Sequence, residues 1–79
     1  MLYKSMKVKN RLAVLMAERE IRSIAELERM LKNAGHPTAR KTLDRLYKND
    51  NNQIHYDTIA AICEVLNCDI GDLFTLVSE

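Results

Sequence analysis

The chain has no tryptophan, a single phenylalanine, one proline and two glycines among 79 residues, so little in it interrupts a helix. Leu, Ala, Lys, Glu and Arg dominate instead, and all are strong helix formers. The expectation is an all-α fold. Two cysteines, Cys63 and Cys68, are too few for a disulfide scaffold and read as reduced thiols in a cytoplasmic protein, with Cys63 on the apolar side of a helix. Neither cysteine stands with His36 or His55 at a CxxC or HxxxH spacing, so no metal site is expected. The longest apolar run, Leu12 to Ala17, is far too short to cross a bilayer, and no signal-peptide pattern opens the chain. There is no glycine-rich phosphate loop, no nucleophile beside a base, and no pair of acids at a catalytic spacing. An enzyme is not expected, nor a cofactor or small-molecule ligand. A domain of this size buries only about 60% of the surface its unfolded chain exposes, so the core is modest.

The most informative absence is of positive charge after residue 48. All twelve Lys and Arg lie in residues 1–48 against five acids, a net of +7. Residues 49–79 carry six acids and no Lys or Arg, a net of −6. The overall charge of +1 conceals this polarity, which suits a first half that meets a polyanion and a second half that keeps the molecule soluble and oriented.

Hydrophobic spacing divides the chain into a flexible leader, 1–6, and one domain, 7–79. Lys4, Lys7 and Lys9 form a possible basic arm at its start. Helices are expected at about 7–19, 24–34, 39–48, 58–66 and 70–77. Val8, Leu12, Leu15 and Met16 give the first helix its inner stripe. Ser23 caps the second, with Glu26 three places on completing a capping box, and Ile24, Leu27 and Leu31 are its buried face. Gly35 closes that helix and Pro37 cannot continue it, so Gly35 to Thr38 is a turn, with Thr38 capping the next helix. A polar loop, Asn49 to Gln53, follows the third helix. Asp57 caps the fourth, in which Ile59, Ile62, Cys63 and Leu66 recur at helical spacing and Asn67 ends the run. Asp69 and Asp72 start a short fifth, where Leu73, Phe74 and Val77 pack inward or present a partner surface.

The third helix is the centre of the pattern. Wound at 100° per residue, Thr38 to Lys48 puts Ala39, Thr42, Leu43, Leu46 and Tyr47 on one side. Lys41, Asp44, Arg45 and Lys48 take the other, with Arg40 at the boundary. A face with that much cationic character is built to lie against something negative, and a DNA groove fits best. Asp44, one turn from Lys41 and Lys48, reads as an intrahelical partner for them.

Three stretches together resemble the Cro and phage-repressor type of helix-turn-helix, the XRE-like family, over about residues 7–77. They are Ser23 to Leu27, SIAEL; Thr42 to Leu46, TLDRL; and Tyr56 to Phe74, YDTIAAICEVLNCDIGDLF. The resemblance implies a compact five-helix repressor-like domain whose third helix enters the major groove of double-stranded DNA. It assigns base reading to Arg40, Lys41 and Arg45, and Arg presents a fork matched to guanine O6 and N7. Candidates for the DNA backbone are Ser23, at the positive end of the second helix, with Thr38, Lys48, Asn51, Asn52 and Gln53. Ile24 stands where the family carries a Gln over the DNA backbone. Sixteen positions separate Leu27 from Leu43, more than in the compact pattern, so the recognition helix would meet its groove at another angle. Asn49 replaces the usual Gly after the third helix, which a left-handed Asn tolerates.

The function implied is a sequence-specific transcriptional regulator, repressor-like, binding DNA as a homodimer because one small domain makes too few contacts alone. The competing reading keeps the fold but makes it a protein-interaction module, an antirepressor or antitoxin-like partner. Leu76 and Val77 leave room for that, and the basic third helix argues against it.

Overall fold

The computed structural model describes residues 6–50 and 53–78. Its order is β1 (Met6–Asn10), α1 (Leu12–Glu18), α2 (Ile24–Asn33), α3 (Arg40–Tyr47), α4 (Tyr56–Leu66), α5 (Ile70–Leu73) and β2 (Phe74–Ser78). The fold is therefore mostly helical but not all-α. The two strands pair antiparallel from Met6↔Ser78 to Asn10↔Phe74, joining the two ends of the domain into a ribbon.

This ribbon corrects both outer helices of the sequence reading. The helix expected from residue 7 starts at Leu12, and Val8, counted in its stripe, is an exposed strand residue. Residues 6–9, Met-Lys-Val-Lys, alternate apolar and polar, and in a strand that alternation segregates two faces. The fifth helix stops after one turn at Leu73, because Phe74, Thr75 and Val77 are at home in an extended chain once β1 lies alongside. Met6 belongs to β1, and the rest of the expected leader, with Lys4, lies outside the described residues.

One core holds the helices. Leu12, Leu15, Met16, Ile21, Leu27, Leu31, Leu43, Leu46, Ala61, Ile62, Leu66 and Leu73 are buried together, drawn from every helix. Ser23 caps α2 as expected, its Oγ accepting the Glu26 amide at 3.1 Å. The Glu26 carboxylate, however, accepts from the amide of Arg22 rather than of Ser23. Gly35, at φ +86°, closes α2 with its amide donating to the Lys32 carbonyl, and His36 donates to that of Leu31. Thr38 does not cap α3; Ala39 stands at that position, and the Thr38 hydroxyl donates to the His36 carbonyl at 3.1 Å, bracing the turn. Likewise His55, not Asp57, precedes α4, and Asp57 lies in its first turn, where a carboxylate complements the helix dipole. Asn67 ends α4 in the left-handed conformation. The Asp72 carboxylate accepts from the Asp69 amide at 3.0 Å, which holds the start of α5.

Two asparagines fasten the ribbon to α3. The Asn49 Oδ1 accepts from the Asn10 amide at 2.8 Å and from Asn10 Nδ2 at 3.0 Å, and Asn49 Nδ2 donates back to the Asn10 carbonyl at 3.2 Å. Asn10 Nδ2 also donates to the Leu46 carbonyl at 2.7 Å, in the last turn of α3, while its Oδ1 accepts from the Leu12 amide. One side chain thus serves the start of α1 and the end of α3. Asn49 occupies φ +58°, a position that costs other side chains strain. Asn49→Ala is expected to lose about 1–3 kcal/mol in urea denaturation, through the clamp and the backbone together. Asn49→Gly, which relieves the backbone, should lose only the clamp and lie between Ala and wild type.

Candidate nucleic-acid interface

The third helix keeps only Leu43 and Leu46 fully inside. These are i and i+3, and they fix the rotation of α3 against the core. The consequence is that Lys41 and Arg45, one turn apart, both face solvent, and Arg40 is exposed as well. The core sets which way the cations point.

The expected site residues fall into three neighbourhoods. Lys41, Arg45 and Gln53 line one shallow depression along the outer side of α3, with Thr42, Asp50 and His55. Arg40 does not join them. It lies around the helix with Thr38, Arg29 and Lys32, and its Nε and a terminal nitrogen both donate to Glu28 Oε1 on α2, at 3.1 and 2.9 Å. With its side chain 62% exposed, this is a solvent-screened pair that a competing phosphate or base edge can displace at modest cost. Ser23 and Lys48 share a third hollow, between α1, the start of α2 and the end of α3. Lys48 Nζ sits 3.2 Å from Asp44 Oδ2, an i, i+4 pair on an exposed surface. Asn51 and Asn52 lie outside the described residues.

Tyr47, taken from its spacing as core, is exposed in the same hollow as Ser23 and Lys48. Leu43 and Leu46 fill the interior, and the last turn of α3 carries Tyr47 past its edge. Sequence reasoning also missed Glu28, which holds Arg40, and Asn10, which holds the end of α3. No local signal marks Glu28, since its partner is twelve residues away. Asn10 had one: a short amide side chain two places before Leu12 is a helix-start signal, not a mid-helix one.

Among the described residues, no group of three or more His, Cys, Asp or Glu converges to hold a metal ion. His36 Nε2 lies 2.7 Å from Glu64 Oε2, tying the α2–α3 turn to α4. Cys63 and Cys68 are both free thiols. Burial, reinforced by the neighbouring Cys68, pushes the Cys63 thiol up to about 11, so it stays protonated at neutral pH and is a poor nucleophile. No helix among these residues is long and apolar enough to cross a membrane.

Two helices joined by a short turn, the second locked by two leucines and showing its cations to solvent, define a helix-turn-helix domain. The chain belongs to the Cro/C1-type HTH DNA-binding domain family, whose model matches residues 11–79. Among solved structures it is similar to the crystal structure of transcriptional regulator VanUg, form II, at 28% identity and a TM-score of 0.69, over 100% of this chain and 96% of that one. No curated protein sequence matches it.

Proposed function

We propose that this protein is a non-catalytic, repressor-like transcriptional regulator that reads double-stranded DNA as a symmetric dimer, with α3 in the major groove. Arg45 and Lys41 read base edges, Arg40 joins them on leaving Glu28, and Ser23, Thr38, Lys48, Asn51, Asn52 and Gln53 hold the backbone. One observation carries the reading: Lys41 and Arg45 stand side by side on the outer surface of a helix whose rotation is fixed by the buried Leu43 and Leu46. The membership in a DNA-binding family and the similarity to a transcriptional regulator support it.

Selection of bound duplexes from a random pool tests it. The expected result is enrichment of two inverted half-sites containing G, about 10 base pairs apart centre to centre. Recovery of no common sequence would overturn the sequence-specific reading. Arg45→Ala and Arg40→Ala are expected to relax preference at individual positions by about 1–3 kcal/mol, whereas Lys48→Ala should weaken all duplexes alike. Full selectivity in both Arg variants would remove these residues from the base-reading set.

A further inference from the structure

The ribbon has two unlike faces. Directly paired residues of an antiparallel ladder share a face, so Met6, Val8 and Asn10 lie with Ser78, Leu76 and Phe74, while Lys7 and Lys9 lie with Val77 and Thr75 on the reverse. The first face is rooted in the core, where Phe74 is half-buried against it and Asn10 is clamped to α3. Further out, nothing described covers it: Met6 is 55%, Val8 59% and Leu76 62% exposed. These are three of the seven large apolar side chains exposed among the described residues, and Val8 and Leu76 are a direct cross-strand pair.

We propose that this face is where a second copy of the chain docks, the two ribbons packing apolar face to apolar face across a two-fold axis. The inference rests on the dimeric DNA-binding reading above and supplies its missing interface. Charge selects the occupant. A two-fold contact sets each surface against itself, so it must be self-complementary. On the reverse face, Lys7 and Lys9 would meet their own copies, and on α3 so would Lys41 and Arg45. The Met6, Val8 and Leu76 face carries no charge, and packing through it leaves every one of these cations outside the contact. An isolated two-stranded ribbon is also marginal in water, and a second layer over its apolar side stabilises it.

The three side chains offer roughly 300 Å² of apolar surface per copy, against about 800 Å² per partner in a standard stable interface. The dimer is accordingly weak in free solution and is reinforced when two half-sites hold both copies at once. Because Asn10 and Asn49 fasten the root of the ribbon to α3, the contact also fixes the direction of each recognition helix relative to the other.

Sedimentation equilibrium of the full chain up to about 1 mM tests this, with Leu76→Lys and the milder Val8→Thr beside wild type. Both positions are exposed, and unchanged circular dichroism confirms that each variant folds. The expected result is reversible self-association of wild type, weakened at least tenfold by Leu76→Lys and less by Val8→Thr. A wild type monomeric throughout, or a Leu76→Lys variant that associates equally well, overturns the proposal. DNA binding measured on the same samples keeps the two readings apart. A dimer that binds no duplex would sink the DNA-binding reading and leave the interface standing; a DNA-binding protein that never pairs would do the reverse.

Discussion

Raising salt from 50 to 200 mM is expected to weaken binding of this protein to its preferred duplex by about four orders of magnitude. The magnitude follows from counterion release. If each copy neutralises four phosphates, the dimer neutralises eight, and the log-log slope of affinity against salt is about −7. The cations that could do this are segregated, since residues 1–48 hold all twelve Lys and Arg. The acids of residues 49–79 would instead be repelled by the phosphates, which orients the approach. A protein-interaction module of the same fold would show weak DNA affinity at every salt concentration and no steep slope. A titration by fluorescence anisotropy across four salt concentrations decides between them, and a slope shallower than about −2 would reject the groove-binding reading.

The second large effect is expected at a side chain that touches no DNA itself but lies beneath the proposed reading face. Leu43 is completely buried on α3, between Lys41 and Arg45. Truncating it to Ala removes apolar contacts and leaves a cavity, at a cost of about 2–5 kcal/mol. A domain of this size has only about 4–12 kcal/mol to lose. Leu43→Ala is therefore expected to lower the thermal midpoint by about 10–30 °C, with operator binding falling in step as the folded fraction drops. Leu76→Ala, truncating a side chain of the same size on the exposed ribbon, should change stability by less than about 0.5 kcal/mol. Equal losses at the two positions would mean that the buried cluster is not what holds α3.

How much was legible beforehand depended on whether the signal was local. The α2 boundaries came through because Ser23 and Gly35 act on their own neighbours, a hydroxyl on an amide three residues on and a left-handed residue after a last turn. The face of α3 came through for the same reason: 3.6-residue spacing put Leu43 and Leu46 inside and Lys41 and Arg45 outside. Ala39 and Tyr47, at the two ends of the same stripe, failed because both are exposed and spacing gives a side chain's direction but not where the core ends. The strands failed more completely. Val8 fits the helical stripe of Leu12, Leu15 and Met16 as well as it fits a strand, and only its partner Leu76 decides. Four alternating residues, Met6 to Lys9, are weak evidence without knowledge of what lies alongside. Spacing set Arg40 at the boundary of the α3 face, but its pairing with Glu28 was illegible, because tertiary packing brings Glu28 near.

Asn10 and Phe74, the nearest pair in the ladder, are 64 positions apart along the chain. Closing a loop that long costs about 4 kcal/mol of chain entropy, so this pairing waits until the helical core has gathered the intervening residues.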